Sequence, residues 1–228
     1  MIEADGVWKV FGSGESKVEA LRGIHLNIES GEMLAIMGPS GCGKTSLLNC
    51  LSGLDSVSSG VVKVDGITLS DLNEVDRDQL RSNKMGFVFQ SYNLLSVLTA
   101  QENVELPLLI QGIKRKEAKE KASEILKRVG LYKRKNHLPT QLSGGQAQRV
   151  ALARALITQP SVIWADEPTG ALDRSTSNMI MDLFLQMNRT ERTSMVIVTH
   201  DPQIARQCDR VLYMDSGLIV DEQYGRED

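Results

Sequence analysis

The sequence has few cysteines, few histidines and no excess of basic residues, and each shortage argues against a class of protein. Its three cysteines, Cys42, Cys50 and Cys208, are odd in number and scattered along the chain. This pattern argues against a disulfide framework and fits a reducing cytosol. The chain has no Cys-x-x-Cys pair or Cys/His cluster of the kind that holds structural zinc. With 26 Lys and Arg against 29 Asp and Glu, the net charge of −3 does not favour nucleic acid as a partner.

Long apolar runs are missing as well. No stretch approaches the roughly 20 apolar residues that cross a bilayer, and residues 1–6 lack the basic and apolar regions of a signal peptide. We therefore expect no direct membrane insertion, so any work at a membrane would pass through a partner. The 228 residues, 41 % of them hydrophobic, are enough for one sizeable domain with a subdomain.

The most informative stretch that is present is a glycine-rich loop at residues 38–46. It reads Gly38-Pro39-Ser40-Gly41-Cys42-Gly43-Lys44-Thr45-Ser46 and fits the P-loop, or Walker A, pattern G-x-x-x-x-G-K-S/T. Such a turn bares backbone N–H groups as a nest for phosphate oxygens, and the helix after it points its positive end the same way. We expect Lys44 to reach the β- and γ-phosphates of a nucleotide and Thr45 to ligate Mg²⁺. A buried strand at 33–37 and a helix from 47 give the loop the context that it needs.

A second apolar run, residues 162–166, closes on a carboxylate and has the Walker B form. A buried strand there would deliver Asp166 to the Mg²⁺ shell, directly or through water. Glu167 would then sit beside the γ-phosphate and polarise a water for in-line attack. Alone, the pattern is that of a strand meeting a charged turn, but its pairing with a Walker A loop favours the catalytic interpretation.

Two more predicted strands, residues 85–89 and 194–199, are followed by Gln90 and His200. Open α/β sheets bind ligands at the carboxyl ends of their strands. Gln90 could therefore reach Mg²⁺ or its water, although without further context a simple strand-end hydrogen bond is the preferred interpretation. His200 could touch the γ-phosphate, whereas a lone histidine is usually structural.

The segment Leu142-Ser143-Gly144-Gly145-Gln146, called the signature segment below, opens a further predicted helix. Ser143 is a suitable N-cap, and two glycines at a helix start again bare N–H groups for an anion. One nucleotide rarely needs two such devices in one subunit.

Two further candidates have equally good alternatives. Phe11 could stack on an adenine or could be an ordinary strand aromatic. Asp173 could belong to the nucleotide site or could only cap the helix that follows it.

The rest of the chain predicts an α/β fold. Residues 1–30 and the Asp65-Gly66 turn indicate antiparallel strands. Residues 91–140 have helical periodicity, and a hairpin near 211–220 precedes a polar tail at 222–228.

Together these motifs resemble the ATP-binding subunits of ABC transporters over essentially the whole chain. The motifs that carry the resemblance, in the family's order and spacing, are Walker A at 38–45, the Q-loop Gln90, the signature segment 142–146, Walker B ending at Asp166, Glu167, the D-loop Asp173 and the switch His200. The signature segment is the most specific of them, because other P-loop classes lack it. Residues 87–95, 102–107 and 165–173 are also similar to the LolD/MacB-type subgroup, which serves lipoprotein release, macrolide export, cell division and antimicrobial-peptide resistance.

The resemblance implies a P-loop NTPase (RecA-like) core with an N-terminal antiparallel β-subdomain and an inserted α-helical subdomain. The implied boundaries within the single domain 1–228 are a core of 1–90 and 159–228 with a helical subdomain of 91–158. ATP and Mg²⁺ are the implied cofactors, with Thr45, Gln90 and Asp166 as metal ligands and Glu167, His200 and Gln90 as catalytic residues.

The resemblance also implies partners. Two copies would pack head to tail, with Ser143, Gly144, Gly145 and Gln146 of one completing the ATP site at Lys44 of the other. An integral membrane permease would hold the pair at the cytoplasmic face of the membrane and use ATP for export or mechanical work, with Gln90 as the joint. The cargo, the direction of transport, the identity of the permease and the subgroup role stay open at this point.

Two other classes of function compete with this interpretation. Soluble ABC ATPases of repair carry long coiled-coil insertions, and those of translation carry two such domains, and this chain has neither feature. A non-hydrolysing nucleotide-binding regulator would not need Lys44, Asp166, Glu167 and His200 intact.

Overall fold

The computed structural model describes residues 1–225 of the chain and divides them into two compact units. The first consists of residues 1–81 together with the segment from Ser194 onward, and the second of Ser82–Thr193. The predicted helical subdomain, 91–158, falls within the second range, and its boundaries stay a prediction. None of the helices in the described part of the chain is both long and apolar enough to cross a membrane.

The first unit contains most of the strands. Its elements are β1 (Ile2–Phe11), β2 (Val18–Ile28), β3 (Met33–Met37), α1 (Lys44–Leu51), β4 (Ser59–Val64), β5 (Ile67–Thr68), β8 (Ser194–Val198), α7 (Pro202–Ala205), β9 (Arg210–Asp215) and β10 (Leu218–Tyr224). The second unit is mainly helical. Its elements are β6 (Met85–Phe89), α3 (Ala100–Ile110), α4 (Arg115–Arg128), α5 (Gly144–Leu156), β7 (Val162–Asp166) and α6 (Arg174–Glu191), and helix α2 (Glu74–Lys84) runs across the boundary.

The N-terminal strands form the antiparallel sheet that the sequence predicts. Its order is β2-β1-β4-β5, with Ile2 opposite Ile28 on one side and opposite Val64 on the other. The turn at Asp65-Gly66 joins β4 to β5, as expected from the dipeptide. Both turn residues have positive φ, which is the backbone form of the tight hairpin turns.

Strand β3 directly precedes the glycine-rich loop at residues 38–46. In the first unit it lies between β8 and β9 in a second sheet. It pairs in parallel with β8 on one side and with β9 on the other, and β10 pairs antiparallel to β9. All five residues of β3 are buried. A parallel strand covered on both faces reads as an unbroken apolar run, which is why the segment 33–37 shows no alternation.

The end of the chain differs from the expectation. Strand β10 continues to Tyr224, so residues 222–224 are strand rather than polar tail. Their polar side chains are exposed because β10 is the edge of the sheet, and an exposed edge strand needs no apolar alternation. Residues 226–228, which were predicted to belong to that tail, lie outside the described residues.

In the second unit, β6 and β7 pair in parallel, with Phe89 opposite Asp166. Helix α5 packs on β6 so closely that a Cβ atom added to Gly86 would overlap the carbonyl oxygen of Ala155. Both strands therefore end side by side next to α5, which places the residues that follow them, Gln90 and Glu167, at one edge.

This contact gives a test of the packing of α5. Gly86→Ala would push the backbone of β6 away from the carbonyl of Ala155 in α5. Overpacking of this kind lowers the free energy of unfolding by about 1–3 kcal/mol. Urea unfolding monitored by circular dichroism measures it. The matched control is Gly112→Ala, where an added Cβ meets nothing within 4 Å and only the left-handed φ of +81° is strained. A loss at Gly86 no larger than at Gly112 would contradict the packing.

Candidate functional site

The glycine-rich loop joins β3 to α1 and is built from close backbone contacts within the first unit. Gly38 has a φ of 148°, and a Cβ there would overlap the carbonyl oxygen of Met214 in β9. Gly43 has a φ of 107°, and a Cβ there would overlap the carbonyl oxygen of Ala20 in β2. Any other residue would be strained at these φ angles, and its Cβ would overlap a carbonyl oxygen of the neighbouring strand. Only glycine therefore lets the loop pack against both strands.

Lys44 is the first residue of α1, and its side chain turns back over the loop. Its Nζ donates to the carbonyl oxygens of Gly38, at 2.9 Å, and Pro39, at 2.8 Å, and lies 4.0 Å from the buried Sγ of Cys42. An ammonium held only by carbonyl oxygens can exchange them for the stronger acceptors of a phosphate. The structure therefore places the predicted phosphate-binding cation at the loop itself.

The start of α1 suits an anion. Its N-cap is Gly43, and no side chain among the described residues caps the helix or puts a negative charge in its first turn. The helix dipole and the first-turn N–H groups then favour a negatively charged ligand. Pro39, Ser40 and Thr45 are exposed around this helix start, as the sequence motif requires.

His200 lies at the same edge of the sheet as the glycine-rich loop. Strand β8, which precedes it, pairs with β3 so that Val198 faces Ile36, and the N–H of Thr199 donates to the carbonyl of Ile36 at 3.1 Å. The loop begins at Gly38, two residues beyond Ile36, and the imidazole residue is exposed there. The two predicted phosphate contacts of the first unit thus share one edge, as expected for the ends of parallel strands.

In the second unit the ends of β6 and β7 bring Gln90 and Glu167 together around Gly170. A Cβ added to Gly170 would lie 3.0 Å from Nε2 of Gln90 and 3.5 Å from Cβ of Glu167. Glu167 has a φ of 47°, a left-handed backbone that is uncommon for a non-glycine residue. Such conformations cost about 1–3 kcal/mol and are concentrated at active sites, where the surrounding structure enforces them.

The signature segment begins α5 with the predicted N-cap. The N–H of Gln146 donates to the hydroxyl of Ser143 at 3.4 Å, and the N–H of Ser143 donates to Oε1 of Gln146 at 3.1 Å, which completes a capping box. Gln146, which the resemblance assigns to the nucleotide, thus has a structural use within its own chain. A nucleotide contact by Gln146 stays a prediction.

The two glycines of this segment are needed for packing. A Cβ at Gly144 would lie 2.8 Å from the hydroxyl of Tyr92, and one at Gly145 would overlap the methyl group of Thr176. Sequence reasoning missed Tyr92 and Thr176. The adjacent glycines were the available signal, since paired glycines at a helix start indicate close neighbours as well as bared N–H groups.

Asp173 caps α6, which confirms the structural alternative for this residue. Its carboxylate accepts hydrogen bonds from the hydroxyls and backbone N–H groups of Ser175 and Thr176, at 2.6–3.0 Å. The Ser175 hydroxyl, followed by that of Thr176, holds the pKa of the Asp173 carboxyl well below its usual range. A depressed pKa means that the cap stabilises the fold fully above the ordinary pKa of aspartate and is lost as pH falls toward the lowered value. A D-loop role in nucleotide binding stays a prediction.

Phe11 is the last residue of β1, and 44 % of its surface is exposed, which is compatible with both alternatives. The Nζ of Lys9 sits 4.9 Å from its ring centroid and is itself bound to Asp55 at 2.6 Å. An exposed ring with a fixed cation beside it can stack on a flat ligand. Stacking on adenine stays a prediction.

Arg154 is a further residue that sequence reasoning missed. Its guanidinium reaches from α5 to the carbonyl oxygens of Tyr92, at 3.0 Å, and Asn93, at 2.5 Å. Both have left-handed φ angles, 61° and 48°. Burial lowers the pKa of Arg154, yet a guanidinium stays charged at neutral pH. It therefore holds the turn after Gln90 in a strained form by two charge-assisted bonds.

Comparisons with known proteins agree with these motifs. The family described as ABC transporter matches residues 21–170. The lipoprotein-releasing system ATP-binding protein LolD of Legionella pneumophila (strain Paris) is 46 % identical over 227 residues, which is 100 % of this chain and 98 % of that protein. The bacitracin export ATP-binding protein BceA of Halalkalibacterium halodurans is 44 % identical over 96 % of this chain and 87 % of its own length. A dimeric structure of the ATP-binding cassette MJ0796 in a post-hydrolysis state with ADP and Pi has a TM-score of 0.93 at 42 % identity, and the match covers 100 % of both chains.

The seating of the glycine-rich loop can be tested at Gly38. Gly38→Ala places a methyl group against the Met214 carbonyl, and relief of the overlap would displace the loop. Overpacking costs about 1–3 kcal/mol. If the displaced loop loses a similar free energy of nucleotide binding, the affinity should fall about 10- to 100-fold, which titration with a fluorescent ATP analogue measures. Gly66→Ala is the control, because its added Cβ meets nothing within 4 Å and it lies in a hairpin away from the loop. Unchanged affinity in the folded Gly38 variant would contradict the seating.

Proposed function

The chain belongs to the ABC transporter family, and we propose that it is an ATP-binding subunit that works as a homodimer, closes on ATP and drives a membrane permease. The observation that carries the proposal is that each copy has two segments that suit a phosphate, and only one of them includes a cation. The loop at 38–46 has its lysine and an uncapped helix start, whereas the signature segment has glycine N–H groups and a serine but no cation of its own.

Each device would complete the other across two copies. Lys44 and the loop would hold the phosphates from one copy, while Ser143 and Gly145 of the second copy would contact the γ-phosphate. Neither half is sufficient alone, so ATP should join the copies and hydrolysis should release them. The structure of the MJ0796 cassette, whose match covers the whole chain, is dimeric in a post-hydrolysis state bound to ADP and Pi, which supports a dimer of cassettes.

Within this scheme Glu167 would act as the general base. It directly follows β7 and has a left-handed backbone with a φ of 47°. A water polarised by this carboxylate would attack the γ-phosphate in line, and His200 would contact the same phosphate at the edge where the glycine-rich loop begins. Lys44 and the loop N–H groups would stabilise the charge that develops on the phosphoryl oxygens.

Mg²⁺ is the proposed metal, and the donor set suits it. Thr45, Gln90 and Asp166 offer a hydroxyl, an amide and a carboxylate oxygen, and Mg²⁺ takes oxygen ligands while keeping several waters and substrate phosphates. The ion would neutralise charge between the β- and γ-phosphates.

A permease at the cytoplasmic face of a membrane is the proposed partner. The proteins named for lipoprotein release and for bacitracin export are 46 % and 44 % identical to this chain, so likeness alone does not choose between these cargoes. We expect export or mechanical work of the subgroup type, with the cargo set by the permease. Co-purification of this chain with an integral membrane permease, after detergent extraction of membranes, tests the assignment.

The central test is Glu167→Gln. The variant keeps the size and hydrogen-bonding reach of the side chain but cannot take a proton, so hydrolysis should fall by about 10²- to 10⁴-fold while ATP still binds. The ATP-bound dimer should then persist and elute as a dimer on size-exclusion chromatography with ATP and as a monomer with ADP.

Lys44→Ala is the control for binding, because it removes the cation and should elute as a monomer at every nucleotide concentration. A monomeric Glu167→Gln protein at saturating ATP would contradict the dimer. Loss of ATP binding in that variant would contradict the role given to Glu167.

A further inference from the structure

Gln148 is a buried polar side chain that the motifs do not explain. It lies on α5, four residues after Gly144, and none of its surface is exposed. Its Nε2 donates a hydrogen bond to the carbonyl oxygen of Pro168, which directly follows Glu167. Because a carbonyl only accepts, the nitrogen end of the amide must face Pro168.

The other end of this amide is costly. Oε1 of Gln148 is buried and has no hydrogen-bond partner among the described residues. An unsatisfied buried acceptor destabilises a fold, and an apolar side chain of the same size would avoid that cost. The residue is therefore badly chosen for stability alone, and the bond to Pro168 is what the amide contributes.

The face of α5 that carries Gln148 runs along β6, from Gly86 near the start of this strand to Tyr92 beyond its end. Gly144, Gln148 and Ala155 lie on one side of the helix, at spacings of four and seven residues. Gly144 approaches Tyr92, and the carbonyl of Ala155 approaches Gly86 in β6. Gln148 lies between these contacts and reaches the loop of residues 167–170 through Pro168. Gln148 thus joins the helix that begins with the signature segment to the residue next to Glu167.

We propose that Gln148 is a positioning residue for Glu167: its amide ties the loop of residues 167–170 to α5 and holds the Glu167 carboxylate in place for attack on ATP. The inference rests on the proposed function, in which Glu167 is the general base. A misplacement of about 1 Å can cost about 100-fold in rate without a matching loss of binding. Gln148 should therefore act on kcat and leave KM nearly unchanged.

The first variant is Gln148→Met, which keeps the volume and removes the donor. We expect kcat for ATP hydrolysis to fall about 10- to 100-fold, with ATP affinity within about twofold of the unmodified protein, because this substitution does not touch the glycine-rich loop. A steady-state ATPase assay and a titration with a fluorescent ATP analogue measure the two quantities.

The second variant, Gln148→Glu, supplies a readout that a merely structural role would not move. When protonated, the carboxyl has an O–H that can donate to the Pro168 carbonyl; when ionised, it can only accept and would be repelled. Burial raises the pKa of such a carboxyl, and Asp166 and Glu167, the carboxylates nearest to Pro168 in the chain, act in the same direction. Arg149, the neighbouring cation on α5, donates instead to the carbonyl of Val129 at 3.1 Å.

The hydrolysis rate of Gln148→Glu, divided by that of the unmodified protein at each pH, should thus be highest at low pH and fall as pH rises through the raised pKa. Gln148→Met should show a ratio that does not depend on pH. Should the methionine variant fail to fold, by circular dichroism, the glutamate variant at low pH still decides the question.

Asn188 provides the matched control. It is also a buried amide of the second unit, and its Nδ2 donates to the carbonyl of Thr193 at 3.0 Å, at the far end of α6. Asn188→Leu and Asn188→Asp should lower stability without lowering kcat and without the pH-dependent ratio.

Two results would overturn the inference: a kcat within twofold of the unmodified protein for folded Gln148→Met, or a flat pH ratio for folded Gln148→Glu. Its failure differs from failure of the proposed function, since in the latter case the unmodified protein would not hydrolyse ATP or Glu167→Gln would hydrolyse it normally.

Discussion

Close backbone contact at glycine is the constraint on which both units depend. In the first unit the glycine-rich loop can fold onto β9 and β2 only because Gly38 and Gly43 leave room for two carbonyl oxygens. In the second unit α5 reaches β6 only because Gly86 leaves room for the carbonyl of Ala155. Chain that lies this close to its neighbours cannot slide, so the polar groups at the strand ends are held in fixed positions.

Helices α1, α5 and α6 differ in how the first N–H groups of each helix are satisfied. Helices α5 and α6 begin with Ser143 and Asp173, whose oxygens accept the first N–H groups. Helix α1 begins at Gly43, and no described side chain caps it. A capped helix start is stable by itself, whereas an uncapped one is stabilised by an anion. The N-termini of α5 and α6 are therefore stabilised within the chain, whereas the N-terminus of α1 is the one of the three that a phosphate would stabilise most.

The difference between α1 and α5 also bears on the two-copy arrangement. The cap bond of Ser143 is long, at 3.4 Å, and so it is weak. A hydroxyl in such a bond can turn to a phosphate at little cost, and the glycine N–H groups beside it do not require a side chain to move. A segment of this kind suits a ligand that arrives already held by another copy, because it adds contacts without needing the strength to bind alone.

Local rules in the sequence predicted much of this structure. The hairpin at Asp65-Gly66, the caps at Ser143 and Asp173 and the buried strand β3 each depend on a few neighbouring residues, so they could be read directly. The contacts of Arg154 and Gln148 could not, since their partners lie 62 and 20 residues away and depend on how α5 packs.

The left-handed backbone of Tyr92 was also beyond the sequence, because nothing about a tyrosine signals a positive φ. The carbonyl oxygen of Tyr92 accepts a hydrogen bond from the Arg154 guanidinium, which is a tertiary contact. The polar residues 222–224 of β10 were wrongly predicted to be a tail, because an edge strand can be polar and then lacks the apolar alternation that indicates a strand.

Some of the costs that the fold accepts lie near β7, while others lie elsewhere, such as the left-handed backbone of Tyr92 and Asn93 and the buried Nε of Arg77, which has no hydrogen-bond partner among the described residues. Glu167 has a strained backbone, Oε1 of Gln148 lacks a partner among the described residues, and so does Nε1 of Trp164, which is fully buried in β7 two residues before Asp166. Sequences shaped by stability alone avoid such groups, and natural proteins keep them mainly where function needs them. The three near β7, one of them Glu167 itself, agree with the role proposed for Glu167 in the reaction.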